Sequence, residues 1–225
     1  MTRVLLIRHG QSEWNADGRW QGQADPPLTD LGRHQAQHAA RNLGAVDAIV
    51  ASDLQRASET ALIISNDLGV GPLVLEPDLR ERDAGEWSGL TRVEIDRDWP
   101  GYLDPPPTRS DGSFETGPAS DAAADAAERR SPPRRPPSWE PDAALLGRAM
   151  AALGRIHDLA PGGEVIAVTH GGLVYVLEGQ HGAPFVRLPN LGGRWLDVGP
   201  GGTIVALGER VILVDEDEIT IPQQI

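Results

Sequence analysis

The sequence predicts an α/β protein, a three-layer α/β/α sandwich with a mostly parallel central sheet and antiparallel C-terminal strands. Two observations predict this fold class. Short apolar runs alternate with stretches of helical periodicity, which is typical of a parallel sheet covered by helices on both faces. Near the C-terminal end, β-like runs are joined by glycine-rich turns, which favours antiparallel pairing.

The first strand is predicted at residues 4–7, where valine, leucine and isoleucine follow one another without polar alternation. A continuous apolar run of this kind indicates a strand that is buried on both faces. A helix is predicted over residues 29–43, because Thr29 is a good N-cap residue and apolar side chains recur at helical spacing until Gly44.

The later elements continue the alternation. Apolar runs at residues 48–51, 73–75 and 165–168 predict three further strands. A helix after the second strand should end at Gly69, which has the position of a C-terminal cap, and another helix should begin near Gly171.

The rest of the chain consists of an insert, a helix and the C-terminal runs. We expect a single domain over residues 1–225, with a Pro/Arg/Ala-rich insert at about 104–137 that we interpret as a solvated, mobile loop. The alternative is that the arginines of the insert bind a carboxylate or second phosphate of a substrate: Arg109, Arg129, Arg130, Arg134 and Arg135. Helical spacing resumes near Pro141, and three short β runs with an acidic, strand-like tail are predicted from Arg194 onward.

Composition excludes several classes of function. The chain has 33 acidic and 20 basic residues, all of the latter arginine, and its net charge of −13 repels nucleic acid and anionic membranes. Cysteine is absent, which excludes disulfides, thiolate nucleophiles and cysteine metal sites. No apolar stretch approaches the roughly 20 residues that span a bilayer. We therefore expect a cytoplasmic protein without nucleic-acid or membrane partners, and a homodimer is left open.

Polar side chains follow the predicted strands at the edge of the sheet where α/β proteins bind ligands. Four of them are cationic or can become so: Arg8, His9, Arg56 and His170. A cluster of carboxylates follows the third strand: Glu81, Asp83 and Glu86. Singly each residue is weak support, because a histidine at a strand end is most often structural. Their convergence from four segments favours an anion-binding active site.

Five motifs in order resemble the histidine phosphatase superfamily, which includes the cofactor-dependent phosphoglycerate mutases. They read "LLIRHGQSEWN", "QGQADPPLTDLGRHQA", "SDLQRASETA", "LRERDAGEWSGL" and "VTHGGL", and the resemblance covers most of residues 3–95 and 163–178. It implies hydrolysis of a small phosphorylated metabolite through a phosphohistidine intermediate. The implied chemistry requires neither a metal nor a cofactor.

The resemblance also implies residue roles. His9 would be the nucleophile, neutral at its attacking nitrogen, and Arg8, Arg56 and a protonated His170 would surround the phosphoryl oxygens. Glu81 matches the proton donor of the family, with Asp83 and Glu86 as alternatives. Four further positions would contact the substrate: Asn15, Gln21, Gly22 and Gly171. Three tryptophans near the motifs are interpreted as packing residues: Trp14, Trp20 and Trp87.

Two other functions stay open, a phosphoglycerate mutase and a phospholigand-binding module without turnover. The segment "HGGL" favours a phosphatase, because the mutases typically have asparagine after the first glycine, whereas "GYLDPPPT" is distantly similar to a mutase segment. One departure from the family is clear. The phosphatases usually have a Gly-Gly-Glu-Ser element before the helix that begins near Pro141, and "RRPPSWEPDAA" replaces it here, with Glu140 as the candidate for its acid.

Overall fold

The computed structural model describes residues 1–103 and 134–222. All of the predicted insert except residues 134–137 lies outside the described residues, and so do Arg109, Arg129 and Arg130. Within the described parts of the chain, no helix is both long enough and apolar enough to cross a membrane.

The described residues form one mixed sheet. Its strands are β1 (Thr2–Arg8), β2 (Ala48–Ala51), β3 (Val74–Leu75), β4 (Glu164–Thr169), β5 (Gly192–Val198) and β6 (Ile204–Ile212). The spatial order is β3-β2-β4-β1-β5-β6. The first four strands pair in parallel, β5 joins β1 antiparallel, and β6 joins β5 antiparallel. The predicted α/β class, with a parallel centre and antiparallel C-terminal strands, is confirmed.

One prediction about the C-terminal part is wrong. Between Arg194 and residue 222, where the described part of the chain ends, two strands are present instead of three, because Arg210–Ile212 continues β6 and pairs with Gly192–Arg194 of β5. The acidic tail is not a strand either, since Glu216–Glu218 forms a 3₁₀ turn. In this turn the Glu218 carboxylate lies 2.8 Å from the Nδ1 atom of His38. The tail therefore makes a side-chain contact there and does not pair with a strand of the sheet.

Six α-helices lie among the described residues. They are α1 (Glu13–Ala16), α2 (Asp30–Arg41), α3 (Gln55–Leu68), α4 (Arg92–Asp98), α5 (Asp142–Leu159) and α6 (Gly171–Gln180). The predicted caps are confirmed: the Thr29 hydroxyl accepts a hydrogen bond from the Gly32 N–H, and Gly69 ends α3 with φ 66°. The short helices α1 and α4 were not predicted. Each begins with a reciprocal capping box, at Ser12 and Thr91.

Side chains of each central strand point alternately into two apolar layers. Val4 and Leu6 of β1 pack in a cluster with α5 and α6, whereas Leu5 and Ile7 pack in a second cluster with α2 and α3. All four side chains are at most 1% exposed. The strand is therefore buried on both faces, as its unbroken apolar run predicts, and its carboxyl end is held rigidly between helices.

Candidate active site

The two predicted histidines lie side by side because β1 and β4 are parallel neighbours. His9 follows β1 directly, and its backbone N–H donates to the Thr169 carbonyl at the end of β4. His170 comes next and is the N-cap residue of α6. The centroids of the two rings are 5.1 Å apart, with an angle of 60° between the planes. Both residues are at most 2% exposed.

The hydrogen bonds of His9 fix its tautomer. Its Nδ1 atom lies 2.7 Å from the Gly10 carbonyl, which can only accept, so Nδ1 carries the proton and donates. The Nε2 atom then holds a lone pair, and the Arg56 Nε–H donates to it at 3.2 Å. The Nε2 atom, which a nucleophilic histidine can use, is thus unprotonated.

Electrostatics favour neutral rings at both histidines. Burial lowers the pKa of His9 well below its ordinary value, and the charges of Arg56 and Arg8 lower it further. Burial likewise lowers the pKa of His170 well below its ordinary value, with Arg56, His9 and Arg8 acting in the same direction. Both rings are therefore neutral at neutral pH when no phosphoryl group is bound, and the protonation of His170 beside bound phosphoryl oxygens stays a prediction.

Two buried guanidiniums supply the positive charge of the site. The Nη1 and Nη2 atoms of Arg56 donate to the carbonyls of Ala24 and Gly22, at 2.7 and 2.9 Å, and Arg8 donates to the Leu188 carbonyl at 2.9 Å. Within residues 1–103 and 134–222, neither guanidinium forms an ion pair with a carboxylate. Burial lowers the pKa of Arg56 to about 10, so it stays charged at neutral pH. Two buried guanidiniums that lack a direct ion pair suit an anionic ligand.

His170 has one satisfied and one unsatisfied nitrogen. Its Nε2 atom lies 2.9 Å from the Ser52 hydroxyl, which follows β2. Its Nδ1 atom is buried and has no hydrogen-bond partner among the described residues, and the same is true of Arg8 Nε. Since buried polar atoms nearly always have partners, two such atoms beside His9 indicate a site built for a ligand that brings acceptors.

Glu81 reaches the same cavity from the segment after β3. Its Oε1 atom accepts from the Arg82 N–H at 2.7 Å, and its Oε2 atom accepts from the Gly172 N–H of α6 at 3.1 Å. The residue is 8% exposed. A carboxyl group that lines the same cavity as His9 can exchange a proton with a ligand bound there.

The four predicted substrate contacts divide into two groups. Asn15, Gln21 and Gly22 border the cavity, and the Gln21 Oε1 atom accepts from the Ser12 hydroxyl at 2.9 Å. Gly171 does not border the cavity but lies against Arg8, where an added Cβ would come 3.2 Å from Nη1. The next glycine, Gly172, lines the cavity in its place.

The cavity itself measures about 50 Å³. Seven of the predicted residues line it: Arg8, His9, Asn15, Gln21, Gly22, Arg56 and Glu81. A single water needs roughly 10–15 Å³ by the same measure, so the space corresponds to a few waters or one phosphoryl group. The alternative acids point elsewhere, since Asp83 accepts from the Gly85 N–H and Glu86 from the Ser138 hydroxyl.

An aromatic wall next to the cavity was not predicted. Trp20 and Trp139 border the cavity, and Trp87 packs edge-on against both, with ring centroids 5.3–5.8 Å apart within the trio. The interpretation of Trp20 as packing alone is incomplete, while that of Trp87 agrees with its full burial. No local pattern identifies Trp139, because its contact with Trp20 joins positions far apart in the sequence.

A second missed residue is Arg148 of α5. It donates to the carbonyls of Asp78, Arg80 and Glu81 and forms a bidentate ion pair with Glu140. Glu140, the candidate for the missing family acid, lies outside the cavity lining and contacts the segment that carries Glu81. The sequence does not predict this role, since a single arginine on the polar face of a helix is expected to point into solvent.

Comparison with known proteins shows the family to which the chain is related. Residues 4–122 match the family described as the histidine phosphatase superfamily (branch 1). A glucosyl-3-phosphoglycerate phosphatase from Mycolicibacterium vanbaalenii is 45% identical over 101 residues, which is 44% of each chain. The phosphoglycerate mutase-like protein 4 of Arabidopsis thaliana is 32% identical over 174 residues, 76% of this chain and 67% of the relative. The chain thus matches less than half the length of the first of these relatives.

The fold extends further than the sequence match. The solved structure of a mycobacterial glucosyl-3-phosphoglycerate phosphatase superimposes with a TM-score of 0.70 at 28% identity, covering 91% of this chain and 96% of the other. The family match includes the strand end with Arg8 and His9 and the segments with Arg56 and Glu81. The chain therefore belongs to the histidine phosphatase superfamily, branch 1.

Proposed function

We propose that this protein hydrolyses small phosphomonoesters through a phosphohistidine formed on His9. One observation carries the proposal: His9, whose Nε2 atom is unprotonated, lines a phosphoryl-sized cavity together with Arg8, Arg56 and Glu81. The reaction requires a nucleophile, countercharge and a proton donor, and the residues that we propose for these roles all line one cavity.

The first step transfers the phosphoryl group to the enzyme. The His9 Nε2 lone pair attacks phosphorus, the bond from phosphorus to the ester oxygen breaks, and Glu81 donates a proton to the departing oxygen. The Nδ1–H bond to the Gly10 carbonyl stabilises the positive charge that the ring then acquires. In the second step Glu81 takes a proton from water, which attacks phosphorus and breaks the bond to Nε2.

The transferred group is anionic throughout, so the site must supply countercharge. Arg8 and Arg56 are permanently charged, and binding of a phosphate dianion would raise the pKa of His170 from its lowered value, so that its Nδ1–H donates to a phosphoryl oxygen. Asn15, Gln21 and the backbone at Gly22 complete the surroundings of the substrate in this scheme, with Gly172 in the place predicted for Gly171. The scheme requires no metal or cofactor. Cytoplasmic location stays a prediction, and homodimer assembly stays open.

The decisive variant is His9→Ala. We expect it to lose turnover of an aryl phosphate while keeping its fold, because the nucleophile is removed without touching the core. A rapid acid-free quench with radiolabelled substrate should trap an alkali-stable, acid-labile phosphoprotein in the native enzyme only. His181→Ala, on an exposed histidine at the end of α6, is the matched control and should retain full activity. Equal turnover by His9→Ala and native enzyme would exclude the proposal.

Assays of the native enzyme also distinguish the proposed phosphatase from two alternative functions. A mutase, which the name of the Arabidopsis relative suggests, would interconvert phosphoglycerates when primed with a bisphosphoglycerate, and would release little inorganic phosphate. A binding module would bind phosphate or vanadate tightly and show no turnover with any ester.

A further inference from the structure

Arg148 holds the segment that carries Glu81 from outside the cavity. Its Nη1 atom donates to the carbonyls of Asp78 and Arg80, at 2.9 and 2.6 Å, and its Nη2 atom donates to the Glu81 carbonyl at 2.9 Å. The guanidinium of Arg148 thus donates to three backbone carbonyls within four consecutive residues. Its side chain is 16% exposed and does not line the cavity.

Glu140 holds the other end of the same segment. Its two carboxylate oxygens each accept from Arg148 at 2.8 Å, and Oε2 also accepts from the Asp83 N–H at 3.0 Å. The Glu140 N–H donates back to the Asp83 carbonyl at 3.0 Å. Arg148 and Glu140 together therefore clamp the backbone on both sides of Glu81. We call this pair the clamp.

The position of the Glu81 carboxyl depends on that backbone. Both of its carboxylate oxygens accept from main-chain donors, Arg82 N–H and Gly172 N–H. One of these donors belongs to the clamped segment, so a shift of the segment moves the carboxyl and its donor together. Displacements of about 1 Å in a reacting group can cost on the order of 100-fold in rate.

We propose that Arg148 and Glu140 are positioning residues for proton transfer by Glu81. The inference rests on the proposed phosphatase function. The proton that Glu81 gives to the ester oxygen must travel along a short, directed hydrogen bond, and the clamp sets where that bond begins. The clamp touches neither substrate nor the reacting atoms, and it acts only through the segment that it holds.

This role predicts a dependence on the leaving group. An alkyl ester releases a strongly basic alkoxide, which needs the proton from Glu81 as the bond to phosphorus breaks. p-Nitrophenolate is stable without a proton, so its departure is insensitive to Glu81. Loss of the clamp should therefore harm alkyl substrates selectively, whereas general damage to the site would harm both classes alike.

The test measures kcat/KM, which reports the first phosphoryl transfer, for p-nitrophenyl phosphate and glycerol phosphate. In Arg148→Lys, which keeps the charge but not the planar fork, and in Glu140→Gln, we expect the alkyl value to fall about 10- to 100-fold, within the usual contribution of general acid catalysis. The aryl value should fall less than about 3-fold by the same argument. Glu81→Gln should show the same selectivity, more strongly.

Arg3→Lys is the control, because Arg3 pairs with Glu164 at the surface and does not contact the segment that carries Glu81. It should leave both values unchanged. In a Glu81→Gln background, Arg148→Lys should add no further loss for the alkyl ester, since both changes remove the same step. Equal losses for the two esters, or additive losses in the double variant, would overturn the inference.

The experiment distinguishes a variant that fails to fold from one that is folded but impaired in catalysis. Thermal unfolding of each variant shows whether it is folded, and Glu140→Gln, which preserves shape, carries the test if Arg148→Lys does not fold. A native enzyme inactive on both esters would instead refute the proposed function. A native enzyme that hydrolyses both, with variants that do not discriminate between them, refutes only the role of the clamp.

Discussion

At the scale of single residues, the hydroxyl of Ser52 has the properties needed beside a histidine that changes charge. It is fully buried, accepts from the Leu54 N–H at 3.3 Å and lies 2.9 Å from His170 Nε2. A hydroxyl can donate to a neutral imidazole and accept from an imidazolium. When the Ser52 hydroxyl donates to a neutral ring, or accepts from an imidazolium, the Nδ1 atom of His170 carries a proton that can reach a phosphoryl oxygen.

Ser52→Ala should therefore lower kcat/KM for phosphomonoesters by about 10-fold, the equivalent of one lost hydrogen bond to a charged group. Without the acceptor, the imidazolium is disfavoured, and the limb of the pH profile that requires protonated His170 should move to lower pH. The profile of kcat/KM against pH measures this. Ser52→Thr keeps the hydroxyl and serves as the control, and an unshifted profile in Ser52→Ala would contradict the assignment.

At the scale of elements, the first turn of α6 matters because it touches Glu81. The Gly172 N–H donates to Glu81 Oε2, and an added Cβ at this position would lie 2.3 Å from Oε1. Only glycine lets the helix start so close to the carboxyl. The side chain of Glu81 can swing away from such a Cβ, so the consequence falls on catalysis more than on stability.

Gly172→Ala is expected to lower kcat for an alkyl phosphate by at least about 10-fold, because a displaced acid no longer lies in hydrogen-bond reach of the ester oxygen. Gly179→Ala in the same helix is the matched control, since an added Cβ there meets nothing within 4 Å. It should keep full activity and, by helix propensity, gain up to about 1 kcal/mol of unfolding free energy. Steady-state kinetics and thermal unfolding together measure both effects, and full activity of Gly172→Ala would be inconsistent with this contact.

At the scale of the whole molecule, the site makes stability depend on pH. His9 and His170 are neutral when folded, because burial first and the neighbouring arginines second depress the pKa of each. Unfolding exposes both rings and restores their ordinary pKa of about 6.5. Below that pH the unfolded chain binds more protons than the folded one, so the free energy of unfolding falls as pH falls.

The free energy of unfolding should decrease between pH 7.5 and 5.5, with a contribution of up to about 1.4 kcal/mol per pH unit from each histidine below pH 6.5. Urea unfolding at the two pH values measures the slope. His9→Gln and His170→Gln remove one titrating group each and should flatten it. An unchanged slope in both variants would show that other groups dominate.

Much of this molecule was predictable from local pattern. The alternation of apolar runs and helical spacing set the layers, and Thr29 and Gly69 marked helix ends, because caps are determined by neighbouring backbone. The motif residues Arg8, His9, Arg56 and Glu81 lie around one cavity because parallel strands bring their carboxyl ends to one edge.

Tertiary structure alone decided the rest. Trp139, Glu140 and Arg148 meet the site across long separations in the chain, and no local spacing encodes such contacts. The neutral state of His170 follows from burial, which exists only after the layers have packed. The acidic tail does not extend the sheet, and its Glu218 carboxylate contacts His34 and His38 of α2, which no local pattern predicts. The sequence thus determined the secondary-structure elements and the reactive groups. Packing determined the charge state of the buried histidines and the contacts that hold the segment of Glu81, since desolvation and long-range hydrogen bonds arise only in the folded chain.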